Sequence, residues 1–346
     1  MGGKASTTRQ RRGSNVLQWC FWVAYTGAAT LLAAGPCAVC PFRRVLLVSA
    51  THGNEFTGVW VAKRLERLPH LATRPSIEEL VTVQGNPEAY RAGVRFLDAD
   101  LNRQFGSKDL ADTSLSSRES CLAKALDNRF GSGAQPGEAV DFVIDLHTTT
   151  TSMGVTYIVE SFSNVSLAAA AWCQQRLQPL EASGELPPVR ILRETLSREA
   201  SPHVISICQH GLMIEVGPVP QGVLRHDVCK WMETATLAVL DFLEALNSGT
   251  VETPRRAVVY DDLNVKVPAP LGPDGKPTAI FHCDFQGRDF TAMRKGDPMF
   301  VDLDGKVTCY DGFHGDVIWP AICLLFVRPP LEWHEPDSGA DPGVRE

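Results

Sequence analysis

Four short apolar runs constrain this chain most: VLLVSAT (45 to 51), LVTVQG (80 to 85), DFVIDLH (141 to 147) and HGLMIEVG (210 to 217). Near-continuous runs of this length mark strands buried on both faces, which is the habit of parallel strands covered by helices. VWVAKRLERL (59 to 68), SLAAAAWCQQRL (166 to 177) and CKWMETATLAVLDFLEAL (229 to 246) read as helices, and MGVTYIVE (153 to 160) as a further strand. Strands alternating with helices predict an α/β sheet. Ionisable groups interrupt or end three of the runs: His52 follows the first, Asp145 and His147 stand in the third, and Glu215 stands in the fourth. Open α/β sheets bind their ligands at the carboxyl edge, where these residues fall.

His52 and Glu55 share a turn between the first strand and its helix, a spacing that lets an imidazole nitrogen and a carboxylate face one point. Zn²⁺ accepts both ligand types in tetrahedral geometry. His147 closes its own strand at the same edge and completes a set of two histidines and one carboxylate, which leaves a fourth position open for hydrolytic chemistry. An isolated histidine is more often an ordinary loop residue, and it is the combination that points to one Zn²⁺ per chain. Asp145 lies on the same side of its strand as His147 by the two-residue period, so it can orient the imidazole. Glu215 sits among residues expected to be buried, where an unpaired carboxylate is costly, so it needs a partner or a job. Beside a zinc-bound water it suits the role of general base; the bland alternative is a salt-bridged strand end. RFLDADLNRQF (95 to 105) has neither helical nor strand periodicity and offers Arg95, Asn102 and Arg103. Guanidinium groups bind carboxylates bidentately and stabilise oxyanions, which suits a substrate bearing a carboxylate.

After Asn247-Ser248-Gly249 the texture changes to short β-like pieces between Gly and Pro clusters. The division expected is an N-terminal extension (1 to 42), a zinc-dependent catalytic domain (43 to 249), a small β-rich C-terminal domain (250 to 328) and a disordered tail (329 to 346). In the extension, residues 1 to 15 carry Lys4, Arg9, Arg11 and Arg12 without an acid, and residues 16 to 35 carry no charge. That pattern fits a signal peptide, a membrane anchor or a transit peptide, and contact with a membrane is expected only if an anchor is retained. Cys37 and Cys40 form a C-x-x-C with no second pair at finger spacing, and the remaining cysteines read as reduced thiols. A formal charge of −7 offers no general attraction to phosphate backbones, which argues against nucleic acid.

THGNE (51 to 55), GNPEA (85 to 89), DADLNR (98 to 103), DLHTTT (145 to 150) and IEVGPVPQGVLR (214 to 225) together resemble the aspartoacylase and aminoacylase-3 family, in family order. GDPMFVDLDGK (296 to 306) extends the match more weakly. The resemblance implies a zinc carboxypeptidase-like mixed sheet flanked by helices, a β-rich C-terminal domain, and deacylation of N-acyl, above all N-acetyl, amino acids. Carried over residue by residue, it makes His52, Glu55 and His147 the zinc ligands, Glu215 the catalytic acid/base, Arg95 the group polarising the acyl carbonyl, and Asn102 with Arg103 the α-carboxylate site. It also implies a cytoplasmic enzyme domain and leaves homo-oligomerisation open.

Two departures stand out. The arginine that receives the side-chain carboxylate in aspartoacylases falls, without a gap, on Ile205, which argues against strict aspartate selectivity; Arg198 or His203 are the nearby substitutes. At the end, Trp319-Pro320 leads into AICLLFVRPP where the family carries a substrate-contacting tyrosine. The same metal site in a different pocket would make a metallocarboxypeptidase or a succinyl-amino-acid deacylase. The altered C-terminal motif also admits a zinc-binding pseudoenzyme with a regulatory role.

Overall fold

The structure is a computed structural model that describes residues 41–252, 254, 256–266, 270–319, 325–327 and 331–334. The basic and apolar N-terminal segment and Cys37 with Cys40 lie outside the described residues, as does most of the expected disordered tail. Among the described residues no helix is long and apolar enough to cross a membrane.

Strands β1 (Arg44–Ser49), β2 (Glu79–Gln84), β3 (Phe142–Thr148) and β6 (Gly211–Gly217) run parallel in the order β2-β1-β3-β6. β4 (Gly154–Glu160) pairs antiparallel with β6, and β5 (Val189–Glu194) and then β7 (Arg256–Lys266) continue parallel to β4. The sheet is therefore mixed, as the family resemblance implies. The apolar runs alone suggested parallel strands, because burial on both faces does not encode direction. β1, β3 and β6 are buried almost throughout, whereas β2 is half-exposed because it forms the edge.

Helices α1 (Phe56–Arg67), α2 (Arg118–Phe130), α3 (Asn164–Ala182) and α4 (His226–Asn247) supply the covering layers. One face of the sheet presents Leu47, Ile144, Leu146, Tyr157 and Ile214 to a core shared with α1, α3 and α4. In α3 the consecutive Ala168–Ala171 are all buried, small side chains that let this helix lie close to the sheet. The opposite face presents Leu46, Val48, Val143, Ile158 and Met213 to α2 and to a short turn of helix, Val204–Ile207. The site opens on this second, thinner side.

Past residue 249 the main sheet continues through β7, whose Val259 pairs with Ile191 of β5. β13 (Leu325–Val327) and β14 (Leu331–His334) both pair antiparallel with β7, and β12 (Val317–Trp319) and β9 (Thr291–Met293) extend the sheet beyond β13. β14 thus places a strand inside the segment expected to be disordered. β8 (Ala279–Phe281), β10 (Pro298–Asp302) and β11 (Val307–Cys309) form a separate three-stranded sheet.

Candidate active site

The β3–β6 register sets the geometry. His147 and Glu215 are directly paired rungs of adjacent strands, as are Asp145 and Met213, so all four side chains share the face that carries the second core. β1 ends beside them, and its turn delivers His52 and Glu55. Ala50 there has a positive φ of 52°, and Gly53 packs against the neighbouring backbone so closely that a Cβ would lie 2.2 Å from the Ala89 carbonyl carbon. Glu55 occupies the N-cap position of α1 yet makes no capping bond, since its carboxylate is turned to the histidines. The positive end of the helix favours its charge.

The predicted ligand set converges. His52 Nδ1 lies 2.7 Å from Glu55 Oε1, and His147 Nδ1 lies 3.1 Å from Glu55 Oε2 and 3.2 Å from His52 Nδ1. The other nitrogen of each ring is engaged outward, His52 Nε2 with Asp100 at 3.1 Å and His147 Nε2 with Asp145 at 2.6 Å. A ring that donates Nε2–H to a carboxylate leaves Nδ1 as a lone-pair acceptor, so two lone pairs and a carboxylate aim at one point. That arrangement calls for a cation, and the donor set fits zinc.

Asp145 meets His147 from the same face of β3 and is also held itself, accepting from Thr51 Oγ1 at 2.6 Å and Asn102 Nδ2 at 3.3 Å. Asp100, which reading the sequence did not single out, joins the group. It accepts from His52, from Asn102 N at 3.0 Å and from the Arg95 guanidinium at 3.0 and 3.2 Å, linking the loop to the ligand set. Like Asp145 behind His147, it stands behind the ring of His52. The loop is pinned from below by Glu119 of α2, fully buried, which accepts from Asn86 Nδ2 and from the amides of Leu97, Asp98 and Ala99 at 2.8 to 3.1 Å.

Glu215 is 8% exposed, and its Oε1 makes no hydrogen bond. Burial first, and then the Glu55 carboxylate, push its carboxyl up to about 8. Glu215, Arg95, Asn102, Arg103 and the three converging residues all border one cleft of about 400 Å³. Arg95 Nη1 lies 3.5 Å from Glu55 Oε1, and Arg103 Nη1 donates to the Asn102 carbonyl at 2.6 Å. Asn102 is largely committed inward: Oδ1 accepts from Val204 N at 2.9 Å, and Nδ2 faces Asp145 and His147.

Ile205 does not border the cleft. It is buried in the second core, because the Val204–Ile207 turn sends its apolar side chains under the sheet. Arg198 is spent on the same turn, donating to the carbonyls of Ser206 and Ile207. His203, by contrast, lines the cleft wall.

A mixed α/β sheet that gathers a His–Glu–His group and a lone buried carboxylate at its carboxyl edge defines a class, and comparison with known proteins gives the family within it. Residues 41–243 match the model of the succinylglutamate desuccinylase/aspartoacylase catalytic domain, and the chain belongs to that family, with its aspartoacylase and aminoacylase members. The chain is 35% identical over 269 residues to a probable aspartoacylase of Nostoc sp., covering 78% of this chain and 87% of that one. It is 36% identical over 275 residues to the N-acyl-aromatic-L-amino acid amidohydrolase of Homo sapiens, covering 79% and 83%. The crystal structure of murine aminoacylase 3 superimposes with a TM-score of 0.75 at 30% identity, covering 86% of this chain and 98% of that one.

Proposed function

We propose that this protein hydrolyses the amide bond of N-acyl amino acids, N-acetyl derivatives foremost, with one zinc ion held by His52, Glu55 and His147. The observation that carries the reading is the outward engagement of both Nε2 atoms, which leaves two imidazole lone pairs and Glu55 aimed at one point beside Glu215, whose Oε1 makes no hydrogen bond. The names of the relatives, aspartoacylase and N-acyl-aromatic-L-amino acid amidohydrolase, support the substrate class. Zinc bound there supplies a Lewis acid.

The chain's own residues account for the rest. Glu215 takes a proton from the attacking water as its oxygen bonds to the acyl carbon, and returns it to the amine nitrogen as the C–N bond breaks. Arg95 lies against Glu55, where its guanidinium can stabilise charge growing on the acyl oxygen. Arg103 offers a fork for the α-carboxylate, with Asn102 fixing the loop that carries it. These residues all fall between positions 43 and 249, the segment we assign as catalytic, with the β-rich remainder framing the cleft through Asp262.

Metal analysis paired with a Glu215→Ala variant tests the reading. Wild type should hold one zinc per chain and release free amino acid from N-acetyl amino acids; Glu215→Ala should keep the zinc and lose turnover. Stoichiometric zinc without turnover on any acylated amino acid would instead support a pseudoenzyme, the reading motivated by the altered C-terminal motif. Cleavage of peptides in preference to N-acyl amino acids would point to a carboxypeptidase.

A further inference from the structure

The connection between β3 and β4, residues 149–153, leaves the strand that carries His147 and forms one wall of the cleft, which Thr149, Thr150 and Thr151 border. Its first residue is tied to β6 and the chain that follows it: Thr149 N donates to the Val216 carbonyl at 3.1 Å, and the Thr149 carbonyl accepts from Val219 N at 2.9 Å. Its last residues are tied elsewhere. Ser152 N donates to Asp289 Oδ2 at 2.6 Å, and the Met153 carbonyl accepts from Arg190 Nη1 at 2.8 Å. Asp289 stands 137 residues beyond Ser152, in the β-rich segment, and is buried. Phe285 and Met293, four residues to either side of it, belong to the small core of that segment with Phe300, Tyr310 and Val317.

We infer that Asp289 is a positioning residue for the reaction: by holding Ser152 it sets the far half of the threonine wall against the cleft, although it does not itself border the cleft. The inference rests on the hydrolase reading above for the reaction it serves. Three observations carry it. The bond runs from a backbone amide to a carboxylate, a charge-assisted contact that fixes the path of the chain whichever side chain stands at 152. The residue next to Asp289 holds backbone strain, since Phe290 has a φ of 62°, a conformation costly for a bulky side chain. Such strain persists where the surroundings enforce it. Here the Phe290 ring meets that of Tyr260 at 4.7 Å between centroids, and the Arg190 guanidinium lies 4.5 Å from its centroid. Arg190 therefore touches both Phe290 and the Met153 carbonyl, so the two anchors of the far half brace each other. The near half is held independently, because Thr148 N donates to Glu55 Oε2 at 2.9 Å and Thr149 is fixed by Val216 and Val219. A wall loosened only in its far half loses contacts that a substrate makes equally before and during the reaction. Such a loss raises KM and leaves kcat in place.

Steady-state kinetics on the zinc-loaded full chain test this, with the N-acetyl amino acid that the wild type cleaves fastest. Asp289→Ala should raise KM by about tenfold while kcat stays within about twofold and zinc content is unchanged. Asp289→Asn keeps an acceptor oxygen in nearly the same shape and should hold KM within about threefold of wild type. A merely structural role would lower the urea midpoint and the fraction of active protein but leave KM where it is, and that result overturns the inference. So does a fall in kcat or in zinc content with KM unmoved, since Asp289 would then act through the residues around His147. If Asp289→Ala does not fold, Arg190→Leu replaces it: loss of the donor to Met153 should raise KM by about threefold, and an unchanged KM overturns the inference. If the wild type cleaves no N-acyl amino acid, the hydrolase reading fails separately, and hydrogen exchange decides the role of Asp289. Exchange at the amides of residues 150–153 about tenfold faster in Asp289→Ala and restored in Asp289→Asn supports the wall; equal exchange in all three proteins overturns it.

Discussion

At one end of the cleft two imidazoles turn Nε2 outward to Asp100 and Asp145 and point Nδ1 at each other; at the other end the single imidazole of His203 turns Nδ1 back onto Glu160 and Glu194. The residue types are the same, and the wiring differs: an Nδ1 faces a carboxylate at both ends, but His52 and His147 each meet a further carboxylate at Nε2. Where the carboxylates stand behind the rings, the lone pairs converge and invite a cation. Composition alone does not separate the two groups; the carboxylates behind Nε2 of His52 and His147 do.

The largest effects should come from the converging end. His147→Ala should abolish zinc binding, read by metal analysis. Glu215→Gln should keep zinc and lower kcat by about 10³-fold, because only the proton carrier is lost. Next in size, Asp145→Ala or Asp100→Ala should weaken zinc affinity by about 10- to 100-fold in competition with a chelator, since each ring loses the acceptor that fixes its tautomer. An unchanged affinity in both variants would mean that the outward carboxylates do not set the polarity of this end. Glu119→Ala leaves amides of the Arg95 loop unsatisfied and should cost about 3 kcal/mol in urea unfolding while lowering turnover.

The smallest effect belongs to the clamped end and depends on pH. A histidine whose folded pKa is raised stabilises the protein fully below its unfolded value near 6.5, and that contribution fades as pH rises through about 9. The wild-type urea midpoint should therefore fall over this interval by more than that of His203→Phe. Equal slopes in the two proteins would show that the clamp does not hold the proton.

Much of this was legible in the chain. β1, β3 and β6 stood out because burial on both faces leaves long apolar runs, and a polar residue at the end of such a run is conspicuous; hence His52, His147 and Glu215. β5 was missed because VRILRE brackets its apolar pair with arginines, one of which, Arg193, is satisfied only by a distant Asp261. α2 was missed because its sequence is polar, with Ala123, Leu126 and Phe130 alone reaching the second core among many charged neighbours. Asp100 and Glu119 were invisible for a related reason: a carboxylate in a polar segment looks solvated until the fold shows which amides and guanidinium groups it faces. Ile205 was misplaced because a position counted along the sequence does not say which side of a helical turn faces the cleft.

The seal at Gly53 carries a consequence of another kind. Because the turn between His52 and Glu55 lies against the Ala89–Tyr90 backbone with no room for a Cβ, even Gly53→Ala must push these two side chains out of alignment. A change at a position that takes part in no chemical step would then silence the protein as completely as the loss of a ligand. In a survey of natural variants, this glycine would score with the active site while touching no substrate.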